Sequence, residues 1–429
     1  MDRRELLIGS GAGLLAMALA GPALASPGVD EAAARNAWLY ALPIIEMATT
    51  RARHMGQGLP QNYLRHARKL ADHTARTVTN PNNDTVYSIG WLDLTQGPVT
   101  LTIPPMGERY YSVAVMDMYT NNNVVLGSRT IGNAGGVFTL CGPGQANTGE
   151  RPVRIATPHA WLLLRILADG PEDMDAVHAA QDGFKLDGVR GAAPPAYAGR
   201  DADPAAFFQS ARDLMAADPP PATDLRALRA AGTLLGQGDR PIDPAVVAQG
   251  VANARALVSG AKTRQVYVDG WAYPRSTLGD YGQDYLYRAV VALQGLAALP
   301  VAEAVYLRCQ GEDDGLFKSD RPYRLNVPGN IPVDGFWSLS MYEATPDGQG
   351  FFTENPLGRY AIGDRAKGLK RKADGSADIW ISRTDPGGER TANWLPAPKS
   401  GPYFLTMRAY LPRPELQDGQ WRMPPIRPA

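Results

Sequence analysis

Hydrophobic and polar positions along the chain follow two periods, and the places where one gives way to the other divide it into stretches. From Pro27 to Met55, Trp38, Leu42 and Ile45 recur at helical spacing behind Glu31-Ala32-Ala33-Ala34-Arg35, which predicts a helix that Pro43 would kink or interrupt. Residues 61–78 read as a second helix or a helix-loop, decorated by Arg65, Arg68, Lys69 and Arg76. Between Thr85 and Gly144 the period falls to two. The strands expected there are Thr85–Leu94, Val99–Ile103, Tyr110–Met116, Asn123–Leu126 and Val137–Cys141. Gly/Pro/Asn-rich turns at 96–98, 104–107 and 133–136 separate them, so the pattern predicts an antiparallel meander. His159 to Leu167 is almost wholly apolar and reads as one more buried strand, followed by a helix from Pro171.

Residues 190–265 are rich in Ala, Asp and Pro and mostly helical in pattern, with breaks at Pro219-Pro220-Pro221 and Gly236-Gln237-Gly238. A further helix spans about Asp280 to Leu299 and stops at Pro300. Thereafter short strands return: Ala304–Cys309, Tyr323–Val327, Phe336–Tyr342, Gly368–Lys372, Ala377–Ser382 and Tyr403–Leu411. Asp374-Gly375 reads as a hairpin turn between two of them. The expected fold class is α+β. An N-terminal α+β domain with the antiparallel meander (26–190) leads through a helical connecting region (191–302) to an all-β, sandwich or jelly-roll-like C-terminal domain (303–429).

Residues 1–25 stand apart. Arg3-Arg4 precede a soft apolar run from Leu6 to Leu19, and Ala23-Leu24-Ala25 has the small-x-small form of a cleavage site, which predicts an export signal. The paired arginines resemble a twin-arginine signal, with the general secretory route as the alternative, and the expected location is periplasmic or secreted. The run is shorter than the ~20 residues needed to cross a bilayer, so no membrane span is expected once the signal is removed. Gly9-Ser10-Gly11-Ala12-Gly13 looks like a dinucleotide loop but lies inside this signal with no strand before it, and carries no weight.

Composition narrows the classes further. Forty-three basic and forty-three acidic residues cancel, so no whole-chain field favours nucleic acid. Forty-five glycines and thirty-six prolines suit a loop-rich β protein. Cys141 and Cys309 could pair in an oxidising compartment or remain buried thiols. His54, His66 and His73 lack metal-ligand spacing and read as core or solvent-facing. No motif indicates a metal or cofactor. The serine-esterase elbow, the zincin helix motif and the P-loop are all absent from the sequence.

Candidate chemistry centres on the turn Thr79-Asn80-Pro81-Asn82-Asn83-Asp84, which feeds the first strand. Asx side chains bond back to nearby main chain, and a polar turn before a buried strand can place side chains at the lip of a pocket. On the strands, period two puts Tyr87 with Thr85, Ile89 and Trp91, and Asp117 with Tyr111 and Tyr119. In the C-terminal half, Ser338, Ser340 and Tyr342 share a face opposite Trp337, Leu339 and Met341. Thr406, Arg408 and Tyr410 do the same opposite Leu405, Met407 and Ala409. Such faces line a ligand concavity or form the solvated outside of a sandwich.

Several of these stretches together resemble a known family. They are Thr77 to Tyr87, Phe336 to Tyr342, Asn355 with Arg359-Tyr360-Ala361-Ile362-Gly363-Asp364-Arg365, Asn393 to Pro398, and Arg408-Ala409-Tyr410. The chain is similar to proteins in which domain of unknown function 1254 is followed by domain of unknown function 1214. The resemblance covers nearly all of the chain after the signal. It implies an α+β first part and a jelly-roll-like second part, and no activity.

Two ligand-handling functions of different kinds are therefore expected, beside a third reading as an envelope structural protein with no ligand pocket. One is an enzyme on a small polar or sugar-like molecule, with Asp84 as acid or base, aided by Asp117 or Glu343, and Arg408 holding the ligand. The other is a binding protein without chemistry, using Tyr87, Trp337, Tyr342 and Tyr410 as platforms. In both, Asn83, Asp84 and Arg408 should face one another across the domain junction.

Overall fold

The computed structural model describes residues 28–76, 79–261, 266–312, 315–346 and 349–429. The export signal expected over 1–25, and Thr77 and Val78 at the head of the polar turn, lie outside these residues.

The first helix, Glu31–Gly56, starts where the Asp30 carboxylate accepts the Ala33 N–H at 2.7 Å, a cap that satisfies an otherwise orphaned donor. It runs unbroken through Pro43. Trp38 to Ala48 are all buried, because helices Pro204–Ala217, Leu225–Ala231, Pro244–Ser259 and Tyr285–Gln294 pack around it on one side and a β-sheet lies on the other. Enclosure on all sides explains why its apolar residues form no narrow stripe.

Residues 61–76 are not the helix that their pattern suggested. They run extended along the sheet edge, with Arg65 and His66 paired to Ile89 and Ser88. The left-handed backbone of Asn62 (φ 52°) blocks helical continuation. Its side chain also ties the loop to the Asp93 main chain.

The N-terminal strands form two sheets rather than a meander. One has the order Arg65–His66, Thr85–Asp93, His159–Leu167, Tyr111–Asp117, Asn122–Gly127; the other has Val153–Arg154, Gly136–Cys141, Val99–Ile103, Lys185–Asp187. Residues 159–167 are apolar on both faces and take a central place, where both faces are covered. One face of the first sheet packs on the second sheet, the other beneath the first helix.

The register of the two central strands lays one stripe of side chains along the helix-covered face. Tyr87 lies opposite Arg165, Ile89 opposite Leu163, Trp91 opposite Trp161, and Asp93 opposite His159. All eight residues alternate onto that face, and the two tryptophan rings stack at 5.2 Å.

In the C-terminal domain, two sheets face each other across one core. Trp271–Ala272, Ala304–Cys309, Pro402–Tyr410, Trp337–Ala344 and Gly350–Phe351 order one; Trp394–Pro396, Ala377–Ser382, Tyr323–Val327 and Arg427–Pro428 order the other. Residues 368–372 are irregular rather than a strand, and the Asn393 side chain saturates both main-chain groups of Lys370 at 2.7 Å. Asp374-Gly375 therefore closes a local turn onto Ser376 and not a hairpin. Cys141 and Cys309 are buried, unpaired thiols. Among the described residues, no helix is long and apolar enough to cross a membrane.

Candidate functional site

The polar turn before the first central strand meets the polar face of two C-terminal strands, and the geometry grows from the turn itself. Asn80 takes a left-handed backbone (φ 53°), which asparagine tolerates better than most residues. The Asn82 Oδ1 accepts the Asp84 N–H at 2.7 Å. That bond fixes the amide orientation, so Nδ2 points inward and donates to Tyr410 OH (2.8 Å), Tyr87 OH (3.1 Å) and Thr85 Oγ1 (3.2 Å). The carbonyls of Asn80 and Pro81 are left facing the C-terminal domain.

There, Ser338 lies opposite Arg408 and Tyr342 opposite Phe404 in the strand pairing. Alternation sends Trp337, Leu339 and Met341 into the sandwich core and Ser338, Ser340 and Tyr342 toward the turn. Arg408 donates to Ser340 Oγ at 2.6 Å and to the carbonyls of Asn80 (3.1 Å) and Pro81 (3.3 Å). Tyr342 donates to the same Pro81 carbonyl at 2.7 Å. The Asp84 Oδ2 accepts from Ser338 Oγ (2.7 Å) and Tyr410 OH (3.2 Å).

A second guanidinium enters from the neighbouring strand. Arg165 sits 5.2 Å above the Tyr87 ring, donates from Nε to Tyr87 OH at 3.4 Å and from Nη2 to the Ala297 carbonyl at 2.7 Å. Its Nη1 is buried and has no hydrogen-bond partner among the described residues. Among the described residues Arg165 pairs with no carboxylate, and Arg165 and Arg408 are each only 4% exposed. Glu303 is taken by Arg129 at 2.7 Å and Tyr110 OH at 2.9 Å. The Asp84 carboxyl thus serves Arg408, and Arg165 has none among the described residues. Leaving a buried cation uncompensated is costly.

Burial raises the proton affinity of Asp84, against the pull of Arg408 and of the Ser338 and Tyr410 hydroxyls. Burial also pushes Tyr342 up, and Tyr410 well up with help from Asp84. Tyr87 goes the other way. Burial alone would raise it, but the Arg165 and Arg408 guanidiniums and the Asn82 amide bring it below the ordinary phenol value.

Asp84, Tyr87, Tyr342, Arg408 and Tyr410 are therefore gathered at one place. Asn83 adjoins them but turns away, donating to the Ala71 carbonyl at 2.6 Å. Trp337 faces the sandwich core. Glu343 pairs with Arg76 nearer the surface. Asp117 lies at the opposite end of the first sheet, beside Ala160 in register, where it accepts the N–H groups of Tyr119 and Asn121 and the Asn123 amide at 2.9–3.0 Å. It closes a turn there and is not near the junction group.

Two central members, Asn82 and Arg165, were not singled out in the sequence. Arg165 carried a usable signal, a lone cation in Leu162-Leu163-Leu164-Arg165-Ile166-Leu167, since a buried arginine needs a specific partner. Among the described residues no three His, Cys, Asp or Glu side chains group as metal ligands.

The chain matches two family profiles, each described as a protein of unknown function: DUF1254 over residues 61–188 and DUF1214 over residues 303–414. The polar turn and Arg165 lie in the first span, and Ser338, Tyr342, Arg408 and Tyr410 in the second. No curated protein matches the chain. Among solved structures it resembles the VPA0106 protein from Vibrio parahaemolyticus, with a TM-score of 0.72 and 22% identity over 93% of this chain and 99% of that one. That likeness is one of fold. An uncharacterised protein from Burkholderia cenocepacia aligns with a TM-score of 0.48 and 13% identity over 91% of this chain and 86% of that one.

Proposed function

The chain belongs to the family that joins a DUF1254 domain to a DUF1214 domain, neither of known function, and we propose that it binds a small polar monoanion at their junction. The observation that carries this reading is the buried Arg165 Nη1 without a partner among the described residues, in a group with two guanidiniums and one carboxyl. An anion of the carboxylate class matches a planar guanidinium fork. The surrounding hydroxyls of Tyr87, Tyr410, Ser338 and Ser340 suit a ligand that also carries hydroxyl groups, such as a sugar acid. The export segment read from Arg3-Arg4 and the run after it would place this binding outside the cytoplasm, in the periplasm or secreted.

A thermal-shift screen of small carboxylates, sugar acids and neutral sugars tests the reading. Carboxylates should raise the melting temperature of wild type, and Arg165→Gln should lose that rise while the surface variant Arg365→Gln keeps it. A rise only with neutral compounds, or one unaffected by Arg165→Gln, would sink it.

Catalysis on the same ligand is a second reading, favoured by Asp84. Its carboxyl is partly buried, burial favours its protonated form, and it accepts from two hydroxyls, as a general acid or base requires. On that reading Asp84→Asn keeps binding and loses turnover. Unchanged turnover in the variant would reject it.

A further inference from the structure

Both side chains that hydrogen-bond the Tyr87 hydroxyl are donors. Asn82 Nδ2 approaches it at 3.1 Å and Arg165 Nε at 3.4 Å. Neither can accept, because the Asn82 amide is oriented by the Asp84 N–H on its Oδ1 and a guanidinium has no acceptor. A neutral phenol must also place its own proton. Among the described residues the Tyr87 hydroxyl makes no hydrogen bond as a donor, only the two as acceptor. A phenolate, by contrast, accepts both donors and has no proton to place.

Charge argues the same way. The groups facing Tyr87 are Arg165 on the neighbouring strand, Arg408 and Tyr410 on the C-terminal strand, and Tyr306 on Ala304–Cys309. Of these only the two arginines are charged, and Asp84, which accepts from Tyr410, offsets one of them. If Asp84 takes a proton, the positive excess only grows. Burial of an uncompensated guanidinium calls for a second negative charge, and the oxygen already accepting Arg165 is that of Tyr87.

We propose that Tyr87 is held as a phenolate, the counter-charge of Arg165 while the site is empty, and that an anionic ligand replaces it in that role. On binding, the ligand carboxylate pairs with Arg165 and the Tyr87 oxygen takes one proton from solvent. Net charge in the buried group is conserved, and one proton is taken up per anion bound. The second half rests on the ligand reading above; the first does not.

Ultraviolet difference spectra test both halves. At about pH 8 an ordinary phenol, with its pKa near 10, is only ~1% ionised. Wild type should show tyrosinate absorbance near one full equivalent, well above the ~0.2 equivalents that the chain's eighteen tyrosines would give together as ordinary phenols at that pH. The band should be missing in Tyr87→Phe. It should also fall to that background when wild type is unfolded in urea at the same pH, a control that needs no folded variant. Absence of the band, or its survival on unfolding, overturns the inference and leaves anion binding to be judged by the Arg165→Gln thermal shift. Adding acetate to wild type should diminish the band and draw a proton from a weakly buffered indicator solution. A band that acetate leaves unchanged overturns the coupling and counts against the ligand reading, while the phenolate stands.

Discussion

The two central strands of the first sheet end in a polar pair at each end, and the two pairs have different fates. At the junction end Arg165 lies over Tyr87, with phenols around it and no carboxylate partner among the described residues. At the far end His159 lies opposite Asp93 and rests on Asp218, whose carboxylate takes both the His159 N–H at 2.8 Å and the ring Nδ1 at 3.0 Å. Arg51 is buried beside the same Asp218 and Asp93. The far end thus offers two acids to one guanidinium, and the junction one acid to two. Identical strand geometry produces both ends. The element that covers each end decides whether its charge is balanced from within the protein or left for something else to balance.

The largest effect should come from removing what joins the ends. Trp91 is fully buried and stacked on Trp161, so Trp91→Ala should cost about 3–5 kcal/mol in urea unfolding and loosen both ends together. A loss under about 1 kcal/mol would mean that the stripe does not couple them.

Next is the junction acid. Asp84→Ala strands the Ser338 and Tyr410 hydroxyls and removes the carboxyl beside the Arg408 guanidinium, for an expected loss of about 3 kcal/mol. Asp84→Asn, which keeps an acceptor for both hydroxyls, should lose roughly a third of that. Equal losses from the two substitutions would contradict the charge argument and leave hydrogen bonding alone.

A smaller, pH-dependent effect is expected within the stripe. His54 sits against the tryptophan stack, and its Nδ1 accepts the Trp91 Nε1 N–H at 3.2 Å, which requires that nitrogen to be unprotonated. Burial first, then Arg53 and Arg65, lower its pKa from 6.5 to about 4. The unfolded chain therefore takes up the proton before the folded one does. This contribution should be complete above about pH 6.5 and lost as pH falls to about 4, and His54→Gln should flatten that part of the stability profile. A profile unchanged in the variant would assign the acid sensitivity elsewhere. The smallest effect belongs to Arg365→Ala. It breaks a half-exposed pair with Asp169 across the domains, and thermal denaturation should register about 0.5 kcal/mol or less.

The legible parts of this molecule were those where pattern and burial agree. Ala304–Cys309, Tyr323–Val327 and Ala377–Ser382 have the bounds read from alternation, because one face of each is core. The loop at 61–76 misled, since its spaced apolar and basic residues suit a helix while its backbone is claimed by a sheet edge and by Asn62. Of the candidate site, Asp84, Tyr342, Arg408 and Tyr410 were visible because a polar face on a strand is conspicuous. Asn82 was hidden among equivalent turn formers, since only its tertiary partners separate it from Asn83. Trp337 went to the core because Phe336-Trp337 straddles the two faces, and alternation sends the tryptophan inward.

Sequence by itself determined that a dense Asx turn precedes a buried strand, that two later strands carry polar faces, and that both belong to domains met in that order. Each of those is a local property, set by turn chemistry and the two-residue period. Only the tertiary structure decided that the turn and the polar faces meet, with Arg165 as their third member and Asp117 left at the other end. Pairing register and domain docking bring together residues more than three hundred positions apart, such as Asn82 and Tyr410. No local rule contains that separation. The charge balance of a buried group depends on which side chains share the enclosure, and so the unmatched guanidinium at the junction appears only once the chain is folded.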